Sequence, residues 1–322
     1  MRRHRTVAAA LSAACTLLVG ALTTTQAQAA DTTPAAAPAA RSVTATQQQR
    51  AAAFWTPARM RSATPLDLRL VPGARTEVAR AERPTTVSPT AAAPAAFPQA
   101  GGAWTGGGAV VKTSGRVFFT FQGRTASCSG NAVTSRNAST VVTAGHCVKY
   151  QGAWHTNWVF VPGYANGSAP YGQWTATKTL TTPQWEASED INYDVGAAVV
   201  APLDGRTLTS VTGAQGIQFN GGYNKPMYAF GFPAASPYDG SKLVYCSGNS
   251  SKDFLLSQDH GLACNMTGGS SGGPWFTGFD ESAGTGLQVS VNSFGYAFLP
   301  NRMFGPYFGN DAKALYEKAQ TS

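Results

Sequence analysis

The stretch Thr267-Gly268-Gly269-Ser270-Ser271-Gly272-Gly273-Pro274-Trp275 decides how this chain is read. A hydroxyl set among glycines suits nucleophilic catalysis, because the surrounding backbone can turn sharply and aim its N–H groups at one point. Taken alone, the same letters also fit a Gly/Ser surface turn. Two upstream stretches, Thr143-Ala144-Gly145-His146-Cys147 and Tyr193-Asp194-Val195-Gly196, separate these readings.

His146 follows the β-branched run Thr140-Val141-Val142-Thr143 and a small Ala-Gly pair, which leaves room for a partner to approach the imidazole. The chain has four histidines, His4, His146, His155 and His260, so a protein needing an imidazole base has few to choose from. Asp194 opens the apolar run Val195 to Val200. A carboxylate there is costly to bury unless it is hydrogen-bonded or paired. Asp190 is the better candidate for a surface turn cap, leaving Asp194 to accept from His146. The order along the chain is His, Asp, Ser, the order found in chymotrypsin and not that of subtilisin or the α/β-hydrolases.

Around these stretches the sequence from Gly101 onward breaks into short β-rich runs separated by Gly, Asn, Ser and Pro. Strands are expected at Val110-Val111, 117–121, 126–133, 140–142, 154–161, 172–181, 195–200, 216–219, 227–232, 243–246, 273–276 and 287–291. Turns are expected at 113–115 and 135–137. So many short strands argue for an all-β barrel or sandwich. One helix is expected, after a cap at Asn310 or Asp311, with Leu315, Tyr316 and Ala319 toward the barrel. The loop Phe279 to Gly284 reads as an exposed turn whose two acids could hold calcium, although exposure alone accounts for them.

Thr143 to Cys147, Asp194-Val195-Gly196 and Gly269 to Pro274 together resemble the three signature blocks of the chymotrypsin-fold (trypsin-like) serine peptidases. Within that family the chain is most similar to the secreted bacterial branch that includes the glutamyl endopeptidases. The resemblance implies an all-β, two-barrel chymotrypsin-like fold with a short C-terminal helix. It also implies peptide-bond hydrolysis through an acyl-enzyme, with His146 as base and acid, Asp194 as orienter, Ser271 as nucleophile, and the backbone N–H groups of Gly269 and Ser271 as oxyanion hole. By the same resemblance Cys128 pairs with Cys147 and Cys246 with Cys264, where spacing alone leaves three pairings open. The substrate pocket is expected at Asn265, Met266, Thr267, Val289, Ser290, Val291 and Asn292, with Ser290-Val291-Asn292 pairing with the substrate backbone. Ser270 replaces the aspartate that receives the new amino terminus in animal trypsin-like enzymes, so activation by that ion pair is not expected. No carboxylate or histidine lines the pocket, which points to apolar or small uncharged residues before the cut. No cofactor and no metal are implied; zinc is disfavoured because no cysteine pair has C-x₂₋₄-C spacing.

Residues 1–30 have the layout of a signal peptide: Arg2, Arg3 and Arg5, an apolar stretch containing Cys15, and Ala27-Gln28-Ala29 before Asp31. Residues 31–100 read as a low-complexity propeptide in which 54–80 could form a short strand or docking element, with cleavage between about Phe97 and Gly102 and the peptidase domain at 101–322. Of the formal charge of +8, residues 1–100 carry +7 and 101–322 carry +1. The basic balance therefore belongs to the leader, and neither nucleic acid nor a membrane is an expected partner. The expectation is a secreted monomer acting on protein or peptide substrates. The competing readings are a catalytically silent extracellular binding protein on the same fold, and an esterase.

Overall fold

The computed structural model describes residues 36–71, 84–87 and 97–322. The expected signal peptide, with Cys15, lies outside the described residues. Six strands close the first barrel: β1 (Ser114–Phe121), β2 (Arg124–Ala132), β3 (Thr140–Thr143), β4 (Thr156–Pro162), β5 (Trp174–Thr181) and β6 (Gly196–Val200). The pairing runs β5-β4-β1-β2-β3-β6, and β6 returns antiparallel to β5. Alternation along the strands sorts the side chains. Val117, Phe119 and Phe160 point into the barrel core with Val141, Trp174, Leu180 and Ala198, while Phe118, Val159 and Val161 point the other way into a second cluster. Each of the Val, Leu and Phe side chains among them contributes about 1.5–3 kcal/mol when fully buried.

The second half supplies β7 (Gly216–Phe219), β8 (Pro226–Gly231), β9 (Val244–Asn249), β10 (His260–Ala263), β11 (Pro274–Asp280), β12 (Thr285–Val291), β13 (Phe294–Tyr296) and β14 (Leu299–Gly305). These strands form two sheets, one ordered β7-β12-β11-β8-β9 and the other β10-β14-β13. Disulfides join Cys128 to Cys147 and Cys246 to Cys264, the pairing that the family resemblance implied.

Several local expectations are corrected. Val110-Val111 is not a strand but part of a helical turn, Val110–Thr113, and the expected turn at 113–115 is the end of that helix running into β1. Gly107 and Gly108, both at positive φ, feed the chain into it. Further short helices occur at Pro183–Ser188 and Leu208–Thr212. The C-terminal helix, Asn310–Gln320, buries Leu315, Tyr316 and Ala319 as expected, but neither proposed residue caps it. The Asn310 amide oxygen accepts from Asn220 at 2.8 Å and Asp311 accepts from Gln184 at 2.8 Å. The 279–284 loop is a turn that is exposed only in part: Ser282 is exposed, but Asp280 is buried and accepts from the backbone and hydroxyl of Ser282, and the half-buried Glu281 accepts from the Tyr228 hydroxyl. Its acids are thus committed within the protein.

The leader is more structured than its composition suggests. Ala39–Ser42 adds antiparallel to β5, and helices Ala45–Phe54 and Pro57–Ser62 follow. Thr44 and Gln47 form a reciprocal capping box that starts the first helix. Ala51, Trp55, Met60 and Ala63 are buried against Phe118, Val159 and Val161, covering the outward face of the first barrel. Farther on, Thr85–Val87 pairs with β7, so residues before 100 share a sheet with the second half, and Gln99–Ala103, across the expected boundary, pairs with β9.

Candidate active site

His146 sits where β3 ends, in a single 3₁₀ turn, Gly145–Cys147. Asp194 ends a second 3₁₀ turn, Ile191–Tyr193, which Asp190 caps by accepting the backbone N–H of Asn192 at 3.1 Å. The two side chains are fully buried and meet directly. One Asp194 oxygen accepts the His146 backbone N–H at 2.7 Å, and the other lies 2.7 Å from the ring Nδ1. Ser293 donates its hydroxyl to that second oxygen at 2.5 Å. Three donors compensate the burial of this carboxylate, and charge-assisted bonds of this kind are the stronger sort. Gly145 makes the approach possible: a Cβ there would lie 2.9 Å from Asp194 Oδ1 and 2.8 Å from Trp185.

His155 supports the same loop from behind. Its Nε2 lies 2.8 Å from the His146 carbonyl, and its ring stacks on Phe119 with centroids 4.2 Å apart. A carbonyl only accepts, so Nε2 carries the proton. Burial pushes the pKa of His155 down to about 3, which keeps the ring neutral.

Ser271 lies in the loop before β11. Gly269 and Gly272 take φ of +93° and +79°, and a Cβ on Gly272 would fall 2.1 Å from Thr143 Oγ1. The Ser271 carbonyl accepts from Ser129 N–H at 2.7 Å, and the Ser129 hydroxyl donates to the Gly269 carbonyl at 2.9 Å. Ser129 adjoins Cys128, whose disulfide reaches Cys147 beside His146, so one short region of barrel one anchors both loops. Ser270 donates to the Thr267 carbonyl at 2.7 Å; its neutral hydroxyl is used inside the loop.

No hydrogen bond joins Ser271 to His146. The His146 Nε2 is buried without a hydrogen-bond partner, and the Ser271 hydroxyl instead makes a long contact, 3.4 Å, to the carbonyl of Leu66 in the leader. That carbonyl also accepts the Gly269 N–H at 2.9 Å. The expected oxyanion position is therefore occupied by a leader carbonyl.

The expected substrate pocket divides. Met266 and Val289 line an apolar cluster with Leu262, Trp275 and Met303. The Asn265 side-chain oxygen accepts the Tyr238 hydroxyl at 2.6 Å, and Thr267 donates to the Ala235 carbonyl at 2.6 Å. Ser290-Val291-Asn292 is not the substrate edge. Ser290 and Val291 pair with Trp275 and Pro274 inside the sheet, and Asn292 spans Trp275, Phe230 and Ser270. The domain's edge strand lies farther on, after Ser293 at β13, and Arg69 and Leu70 pair with it there, Gly295 N–H donating to the Leu68 carbonyl at 3.1 Å. Phe294-Gly295-Tyr296 is only three residues long with a glycine at its centre, so the sequence pattern marks no strand there. Ser293 was equally hidden, since only the fold brings it to Asp194.

Among the described residues Cys128, His146 and Cys147 form one group with ligand atoms within 4.8 Å of one another. They do not fit a metal: both sulfurs are bonded to each other and are not thiolates, and His146 Nδ1 is engaged by Asp194.

No protein-family model matches the chain. Solved structures do. The protease Anisep from Arthrobacter nicotinovorans is 45% identical with a TM-score of 0.64, covering 69% of this chain and 100% of its own. A thermostable serine protease, AL20, from an extremophilic microorganism is 41% identical with a TM-score of 0.63, covering 66% of this chain and 99% of its own. A Glu endopeptidase shares the fold at 15% identity and a TM-score of 0.54, covering 69% of this chain and 97% of its own. A curated relative, an extracellular metalloprotease of Bacillus subtilis, is 26% identical over 186 residues, which are 57% of this chain. The chain thus spans about half the length of that relative, at 56%. With this closed barrel, C-terminal helix and fully covered solved relative, the chain belongs to the chymotrypsin-fold, trypsin-like serine peptidases.

Proposed function

We propose that the chain is a secreted serine endopeptidase that cleaves protein and peptide substrates through an acyl-enzyme. His146 is the general base and acid, Asp194 its orienter, and Ser271 the nucleophile, with Gly269 and Ser271 N–H groups stabilising the oxyanion. The observation that carries this reading is the grip of Asp194 on both the backbone N–H and the ring of His146. That grip fixes the tautomer with Nε2 free to take a proton. Residues 1–30 act as the secretion signal and 31–100 as the propeptide; Anisep and AL20, each matched over essentially its full length, cover 69% and 66% of this chain, which leaves room for both segments. When Leu66 leaves, the Ser271 hydroxyl turns to His146 Nε2.

The pocket favours apolar or small uncharged residues before the cut. Met266, Val289 and Met303 supply apolar surface, while the Thr267 and Ser290 hydroxyls are spent on the carbonyls of Ala235 and Pro306. An anionic side chain would lose hydration without replacement. Fluorophosphonate labelling of the leader-free protein tests the chemistry: wild type is expected to label and Ser271→Ala not to, with unchanged thermal unfolding. A wild type that stays unlabelled would hand the fold to a binding role. Peptide-library profiling tests the pocket, and dominant cleavage after Glu, Lys or Arg would overturn it.

A further inference from the structure

We propose that residues 64–70 are a built-in inhibitor that lies across the cleft in a non-productive hydrogen-bonding arrangement, parallel to both of its walls. The inference rests on the serine-peptidase reading and names the occupant that regulates its site. On one wall Thr64 and Pro65 pair parallel with Ala126 and Ser127, and Leu66 N–H donates to the Ser127 carbonyl at 3.0 Å. On the other wall Arg69 and Leu70 pair parallel with Gly295 and Tyr296, whose Gly295 N–H and neighbouring Ala297 N–H donate to the carbonyls of Leu68 and Leu70, each at 3.1 Å. Between the walls the Leu66 carbonyl takes the Gly269 N–H. The segment is thus held by backbone bonds at both ends and at the reacting centre.

Side chains add grip. Leu68 is buried with Trp185, Phe294, Tyr296 and Phe304, and Leu70 packs against the same cluster. Asp67 and Arg69, both part-exposed, pair with each other at 2.9 Å.

The arrangement is inhibitory and not a substrate complex because the proton is on the wrong path. Hydrolysis of the Leu66–Asp67 bond requires the Ser271 hydroxyl to give its proton to His146 while its oxygen attacks the carbonyl carbon. Here that hydroxyl donates to the carbonyl oxygen, and Nε2 receives nothing from it. A strap bound this way blocks the cleft and survives.

The test uses the full chain carrying the leader, read by fluorophosphonate labelling and by mass spectrometry of its own leader. Intact wild type is expected to label at least tenfold more slowly than the same protein after leader removal. Leu68→Asp, which places a charge in the Trp185–Phe294 cluster, is expected to raise labelling of the intact chain by about tenfold or more. The leader should show no cut between Leu66 and Asp67. Equal labelling of intact and leader-free wild type, or autocleavage at Leu66–Asp67, would overturn the strap while leaving the peptidase reading intact. Absence of labelling after leader removal would instead defeat the peptidase reading itself. Should Leu68→Asp fail to fold, Leu68→Ala provides the same comparison, and unchanged labelling with a folded variant counts against the proposal.

Discussion

Gly145 illustrates how little room surrounds the Asp194–His146 pair. Because a Cβ would press on both Asp194 Oδ1 and Trp185, Gly145→Ala should lower kcat of the leader-free enzyme by about 10²-fold, the usual cost of a small misplacement near the chemistry. Asp194→Asn should cost more. The amide would turn an N–H toward Nδ1, shift the ring to the tautomer with Nε2 protonated, and remove the base; a loss of about 10⁴ in kcat with little change in KM is expected. The other two buried histidines predict a stability profile. Burial holds both His155 and His260 at about 3, below the ordinary histidine value of about 6.5. The unfolded chain therefore binds protons that the folded chain refuses between pH 6.5 and 3. Their contribution is fully present above pH 6.5 and is lost as pH falls through that window, by about 1 kcal/mol per pH unit for each ring. Denaturant midpoints measured from pH 7 to pH 4 should show this slope less an opposing share from Asp259, whose carboxyl burial pushes well up, and replacing either histidine by an uncharged residue should remove that ring's share.

At the level of elements, the Cys128–Cys147 bridge joins the strand that anchors the Ser271 loop to the turn that carries His146. With the bridged residues 19 apart, replacing both by serine should lower stability by about 3 kcal/mol in a chemical unfolding curve. Activity should fall further than stability alone explains, since both loops lose a shared anchor. Such elements were readable in advance because residue type forces them. The β-branched run Thr140–Thr143 is a strand as its residues favour, where the shorter Val110-Val111 pair is not; an acid opening an apolar run must find a partner, and glycines flank a residue that needs a close approach. Other elements carried no such mark. β13 and β14 contain glycine, proline and asparagine where strands favour branched and aromatic residues, so the sequence does not mark an edge strand at 294–296. The leader helices were hidden by an Ala/Gln composition that resembles an unstructured chain. They are held by the Thr44 and Gln47 cap and by burial of Trp55 and Met60 on a barrel whose outward apolar face the sequence did not disclose.

Across the whole molecule, the leader is held at separated places: strand Ala39–Ser42 on β5, the helices on the outside of barrel one, the strap in the cleft, and Thr85–Val87 on β7. Weakening one of them should affect the others. Met60→Asp, in the cluster with Phe118, Val159 and Val161 on the outward face of barrel one, is expected to speed leader loss and raise labelling of the intact chain severalfold, measured as in the strap experiment. Gln99–Ala103 behaves differently. It is hydrogen-bonded along β9, and the Ala100 carbonyl accepts the backbone N–H of Asn265 beneath the pocket. A processing enzyme must lay its target, extended and unpaired, in its own groove, and a segment already stitched into a sheet cannot be offered. The new amino terminus of the secreted form is therefore expected ahead of Gln99, earlier than much of the Phe97 to Gly102 window that composition suggested. The retained strand would then brace the floor of the specificity pocket throughout the working life of the enzyme.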